Sequence, residues 1–276
     1  MRNIIALAFL ASVMAITLPA SAASYVNITS PFNYTVTNNG TVALGNVGPG
    51  QTFYVTISAV TNNGIFTFDH AWNKLVASDL PAGWVVQNSS LNNEALSAEI
   101  KVAPQLSYGQ YTFNITAINT GNYSGLGALK FTAAVNVTPN VFKLTTSPSV
   151  LRAGPGQPAE ITVIINNTGV SDSPFVISLG GIPAWNTTDT VIALHHTTGR
   201  FQYPVYEYEP GVYNINLHVN STASPLISKE SNLTLIVGAS VRNDYSALGQ
   251  GVPLFPIVYE PAYAVMYFIG LLAKLA

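Results

Sequence analysis

Cysteine is absent from this chain, so no disulfide framework, thiol nucleophile or soft thiolate metal site is open to it. Charge is nearly as scarce: Asp, Glu, Lys and Arg together make up 8% of the residues, against about 25% in an average soluble domain. With a formal net charge of −2 and no cluster of Lys or Arg, there is no electrostatic footprint for nucleic acid. The acids do not recur at the spacing of a calcium loop, and no Gly-x-Ser-x-Gly elbow, phosphate loop or dinucleotide fingerprint occurs. The expectation is therefore a chain with no catalytic, cofactor or metal site and no small-molecule ligand.

The four histidines are His70, His195, His196 and His218. On one strand, adjacent His195 and His196 would point to opposite faces and could not share a metal. Asp69, His70 and Trp72 form the most suggestive local group, read here as a loop anchored by a buried Trp72.

Asn, Ser and Thr are what keep the surface wet. Asn-x-Ser/Thr occurs at Asn27, Asn33, Asn39, Asn88, Asn114, Asn122, Asn136, Asn166, Asn186, Asn220 and Asn232. The 25 Asn and 47 Ser plus Thr of the chain would give about four such sequons by chance. These eleven positions are the candidate N-glycosylation sites. Alternation supplies an independent check, because neighbours on a strand face opposite ways. In the stretches around Phe113, Phe131, Val163, Ile215 and Leu233 the apolar residues fall on one face. Asn114, Asn136, Asn166, Asn220 and Asn232 fall on the other.

The chain repeats a sentence. Gly48-Pro49-Gly50-Gln51 opens an alternating run that ends near Asn62-Asn63-Gly64, and 106 residues later Gly154-Pro155-Gly156-Gln157 opens a run that ends at Asn167-Thr168-Gly169. Glycine and proline punctuate while β-branched residues extend, which reads as a turn feeding a strand. Pro81-Ala82-Gly83-Trp84 is echoed by Pro183-Ala184-Trp185, and Tyr108-Gly109-Gln110-Tyr111 by Pro210-Gly211-Val212-Tyr213. Strands are expected at 25–29, 32–37, 51–60, 65–68, 96–102, 110–118 and 129–137, then at 141–146, 159–166, 175–179, 191–194, 201–206, 212–220 and 232–237. Two antiparallel two-layer sandwiches follow, over 23–139 and 140–238.

These turn, loop and strand motifs resemble the immunoglobulin-like modules of archaeal and bacterial surface proteins, which are also appended to secreted glycosidases and proteases. The resemblance implies an all-β chain of two tandem antiparallel immunoglobulin-like β-sandwiches that space, adhere or pack. Trp84 and Trp185 occupy equivalent places in the repeats. They read as core positions of a common fold or, if solvent-facing, as platforms of a carbohydrate-binding accessory subunit. Tyr203, Tyr206 and Tyr208 with Glu207 and Glu209 form an aromatic–acidic patch, either an edge and its turn or a partner contact.

The ends differ from the modules. Arg2, an apolar run over 4–18 and Ala20-Ser21-Ala22 have the pattern of a secretory signal peptide at 1–22. A Pro-rich linker spans 239–260, and a hydrophobic helix is expected over 261–276, entered at Pro261. At about 22 Å it is shorter than a hydrocarbon core of about 30 Å. Three roles stay open for it: anchoring in a membrane, burial in a neighbouring subunit, or packing on its own module. The functional expectation is a glycosylated, extracellular stalk or adhesion protein held at a membrane by this tail. The alternative is a subunit of a surface filament or surface layer that associates with copies of itself or other envelope proteins through a terminal segment, with 25–37 as the suspected donor strand.

Overall fold

The computed structural model describes residues 25–62, 67–68, 71–90, 95–105, 107–121, 128–183 and 185–238. The expected signal peptide at 1–22, linker at 239–260, helix at 261–276, the sequon at Asn122 and the Asp69–His70 pair lie outside the described residues. All regular structure that is described is β, and among these residues no helix is long and apolar enough to cross a membrane.

The first half contains β1 (Tyr25–Ser30), β2 (Tyr34–Thr37), β3 (Thr41–Val47), β4 (Thr52–Ser58), β5 (Thr61–Asn62), β6 (Thr67–Phe68), β7 (Lys74–Ser78), β8 (Val85–Gln87), β9 (Ser89–Ser90), β10 (Ala95–Lys101), β11 (Gly109–Ile118) and β12 (Ala128–Val137). The second half contains β13 (Phe142–Ser147), β14 (Val150–Ala153), β15 (Ala159–Asn167), β16 (Ser173–Ile182), β17 (Trp185–Ala193), β18 (Thr198–Val205), β19 (Gly211–Ser221) and β20 (Ser228–Val237).

The first module pairs a sheet ordered β2-β1-β4-β10-β8 with a sheet ordered β3-β12-β11-β7-β9. In the second, β13-β15-β18 faces β14-β20-β19-β16-β17. Both are immunoglobulin-like β-sandwiches, with the first, second and fifth strands of the fold on one side and the third, sixth and seventh on the other. Alternation drives this arrangement. Phe53, Val55 and Ile57 on β4 are wholly buried while Tyr54 between them is 48% exposed. On β15, Ile161, Val163 and Ile165 fill the second core in the same way.

Two corrections to the expected architecture concern strands. The sheets are not antiparallel throughout, because β3 runs parallel to β12 and β14 parallel to β20. In the second module the chain leaves β13 for the opposite sheet without reversing, so it arrives beside the last strand in the same direction. The strands β3, β5, β7, β8, β9 and β14 were not among those expected; each is short or lies at a sheet edge. The stretch 25–37, the suspected donor strand, forms the β1–β2 hairpin of its own sheet in the single chain, with Val26, Ile28 and Val36 at most 3% exposed in their own core.

Two devices recur in both modules. Tyr111 donates its hydroxyl to the carbonyl of Ser107 at 2.7 Å, and Tyr213 donates to that of Glu209 at 2.9 Å. Each is a tyrosine corner at the entry to the sixth strand of the fold. The second device is the Gly-Pro-Gly-Gln turn, closed by Gln51 N–H to Gly48 O at 3.2 Å and Gln157 N–H to Gly154 O at 3.0 Å. Gly50 at φ +76° and Gly156 at φ +70° supply the left-handed residue after proline that a type II turn needs. The glutamine then folds back, its Oε1 accepting from the backbone N–H of Gly48 at 2.7 Å or Gly154 at 3.1 Å.

Candidate functional site: the sequon-bearing faces and the module junction

Ten of the eleven sequon asparagines are among the described residues, and none of the ten is buried. Asn33, Asn39, Asn88, Asn136, Asn186, Asn220 and Asn232 are exposed, while Asn27, Asn114 and Asn166 are half-buried. Asn114, Asn136, Asn166, Asn220 and Asn232 stand opposite the core side chains of their strands, as alternation expects. Their amides differ in what they already hold. Asn114 Nδ2 donates to Asp79 Oδ2 at 2.5 Å while its Oδ1 accepts from Thr132 Oγ1 at 3.2 Å, and Asn136 Nδ2 donates to Asn46 Oδ1 at 2.9 Å. The exposed Asn88 instead accepts at Oδ1 from Ala77 N–H at 2.9 Å.

The junction between the modules is a built contact, and sequence reasoning missed it. The first module's turn 48–51 enters the end of the second module between the 169–173 turn and the 221–227 loop. Gln51 is 1% exposed and donates Nε2 to Ser173 Oγ, and Ser171 Oγ donates to the carbonyl of Thr52. Val170 N–H donates to Asn46 O at 2.9 Å, and the Val170 side chain belongs to the first module's core at 3% exposure. A Cβ on Gly48 would lie 2.3 Å from Ile227 Cδ1, and one on Gly50 2.7 Å from Ala223 O. The receiving turn is itself held by Asn167, 1% exposed, whose Nδ2 donates to the carbonyls of Ser171 and Ala193, both at 2.9 Å. The equivalent turn of the second module has a different cover. A Cβ on Gly156 would meet the Tyr208 ring at 3.3 Å, and Gly156 N–H donates to Glu207 O at 2.8 Å.

The remaining candidate groups resolve into structural parts. Trp72 is fully buried and Trp84 is 8% exposed among Phe53, Tyr111 and Phe113. Trp185 is half-buried against the second core. Neither repeat therefore presents a fully open indole platform for a sugar. His195 and His196 lie in the turn between β17 and β18, and their rings meet edge to face at 5.8 Å. His195 Nδ1 lies 2.6 Å from Asp172 Oδ1 and His218 Nδ1 lies 3.2 Å from Glu230 Oε1. No group of three metal-ligating side chains occurs among the described residues.

The expected aromatic–acidic patch is split. Tyr206 and Tyr208 meet at 5.8 Å and Tyr208 is 55% exposed, but Glu207 is 3% exposed and accepts from Tyr208 N–H at 2.7 Å. Tyr203 is 7% exposed and donates to Asp189 Oδ2 at 3.0 Å. Burial, and then the Asp189 carboxylate, push the Tyr203 phenol well above its ordinary value of 10.0. A raised folded-state pKa means the unfolded chain loses this proton first. The stability is intact below about pH 10 and falls as pH rises beyond it. In urea melts between about pH 9 and pH 11, the midpoint of the wild type should fall more steeply than that of Tyr203→Phe. Parallel curves would refute this assignment.

No family model and no curated protein matches the chain. Among solved structures it is similar to a titin A168169 fragment, at 11% identity and TM-score 0.25, over 78% of this chain and 100% of that one. It is also similar to zebrafish RET cadherin-like domains 1 to 4, at 10% identity and TM-score 0.35, over 78% of this chain and 58% of that one. A beta-glucosidase from Listeria innocua in complex with glucose aligns at 16% identity and TM-score 0.26, over 36% of this chain and only 16% of its own. Superpositions this loose carry no argument about function. The immunoglobulin-like class rests on the strand order described above.

Proposed function

We propose that the chain is a non-enzymatic, N-glycosylated protein of the cell surface, whose two modules form a stiff stalk held at a membrane by the apolar segment 251–276. The observation that carries this reading is the placement of the sequons: strands supply much of the set, yet none of the ten described asparagines is buried. A surface with so few charges gains solubility from carbohydrate that its side chains do not provide. The locked junction supports the stalk, because a turn buried in the next module removes the hinge that tandem domains ordinarily have.

Deletion of residues 251–276 tests the anchoring. The truncated protein should move from the membrane fraction to the soluble fraction while its melting curve keeps the wild-type shape. Retention in the membrane fraction by a folded truncated protein would overturn the anchor.

A further inference from the structure

The far end of the second module differs from the corresponding end of the first. The first module's turn 48–51 is buried in the next module, whereas the second module's turn 154–157 is covered by its own loop 206–210. Tyr208 lies with its ring over Gly156, is 55% exposed, and meets the Tyr206 ring edge to face at 5.8 Å. Pro183 and Pro210 at this end are exposed, and Glu209 is the exposed charge of the loop. Trp185, half-buried at the foot of the core, pairs with Ile182 where the β16–β17 hairpin turns.

The chain leaves the fold at the same end. Val237 pairs with Gly211, and Gly238 N–H donates to Ala153 O at 3.0 Å. Twelve residues, 239–250, then precede the apolar segment 251–276, a length that spans at most about 40 Å. A membrane that holds the segment therefore lies close to this end and to no other. The sequons leave the end face open: Asn166 and Asn220 lie at the junction ends of their strands, and Asn232 lies midway along β20. Asn186 does begin near this end, but on the face opposite to core-packed Trp185, so its glycan would leave sideways.

We propose that this end face rests on the lipid headgroup layer, so that the stalk stands upright on the membrane. Tyrosine and tryptophan carry an apolar body and a polar tip, and they gather where a bilayer meets water. An end built of such rings and of proline, with a single exposed carboxylate in its loop, suits zwitterionic headgroups. The tail keeps the surface at high effective concentration, so contacts too weak to capture a free membrane suffice. The locked junction then carries the first module outward along the same line.

The inference rests on the anchor reading, and its test separates the two. Full-length protein is reconstituted into phosphatidylcholine vesicles whose headgroups carry a spin label that quenches nearby indoles. Trp72 and Trp84 are buried in the first module, beyond a second module whose β19 alone runs 11 residues, or about 36 Å. Quenching should therefore fall on Trp185 and be absent from Trp185→Phe. Tyr208→Ser should float with the vesicles, keep a folded melting curve and lose most of the quenching. Tyr54→Ser, at a tyrosine of the first module that is 48% exposed, should be quenched like the wild type.

Wild-type protein that floats with the vesicles while Trp185 stays unquenched overturns the seat and leaves the anchor standing. Quenching that survives Tyr208→Ser in full does the same, because the tether alone would then explain it. Trp185 shielded from aqueous iodide but untouched by the label gives the end face to a second copy of the chain and overturns the lipid seat. Protein that does not float with the vesicles overturns the anchor and the seat together.

Discussion

Replacing Gly50 by alanine should unlock the two modules from each other, while the same replacement at Gly156 should leave them locked. The repeat provides its own control, because both glycines occupy the same place in the same turn, at φ +76° and +70°. An alanine forced into that region costs about 1–2 kcal/mol at either site. What differs is the neighbour. At Gly50 the new Cβ would be 2.7 Å from the backbone carbonyl of Ala223 in the second module, whereas at Gly156 it would meet the movable ring of Tyr208 at 3.3 Å.

A backbone carbonyl in a packed loop cannot give way cheaply, so in Gly50→Ala the contact between modules yields instead. That exposes Gln51, Ser171 and Ser173, whose hydrogen bonds hold the junction. Small-angle scattering should show one fixed extended form for the wild type and Gly156→Ala, and a broadened ensemble for Gly50→Ala. Unfolding of Gly50→Ala should also separate into two steps as the modules melt independently. If both variants scatter like the wild type and lose equal stability, the turn does not hold the junction.

The same pair of turns shows how far sequence reasoning reached. Gly-Pro-Gly-Gln was legible as a turn in both repeats because its conformational demand is local: proline fixes one dihedral and glycine alone accepts the next. That one copy is buried in a neighbouring module and the other is covered by Tyr208 was not legible, since the four residues are identical and the difference lies in what the fold places opposite. The outward placement of Asn114, Asn136, Asn166, Asn220 and Asn232 followed from period-two alternation. The edge strand β3 escaped notice despite buried Val42, Leu44 and Val47, because its parallel pairing with β12 is non-local and Gly45, at φ +122°, sits where the register shifts. The tyrosine corners were half visible: the repeated motifs ending at Tyr111 and Tyr213 were read as strand openings, but the hydrogen bond that explains the tyrosine appears only with the backbone in place.

Trp84→Ala is expected to destabilise the first module by about 3–5 kcal/mol, the usual cost of emptying a large aromatic site. The indole is 8% exposed, with Phe113, Tyr111 and Phe53 at centroid distances of 5.9, 6.1 and 6.4 Å. Its Nε1 is buried without a hydrogen-bond partner among the described residues, a standing cost that phenylalanine would not carry. Trp84→Phe should therefore cost only about 1–2 kcal/mol, less than the lost volume alone suggests. Trp185→Ala, half-buried at the equivalent place, should cost less than Trp84→Ala because solvent already reaches part of its site. Urea melts of the three variants give the order directly. A carbohydrate platform makes the opposite demand, that removing an indole abolish sugar binding and leave the melt unchanged. A Trp84→Ala protein with wild-type stability would therefore return Trp84 from the core to the surface and reopen the lectin-like reading.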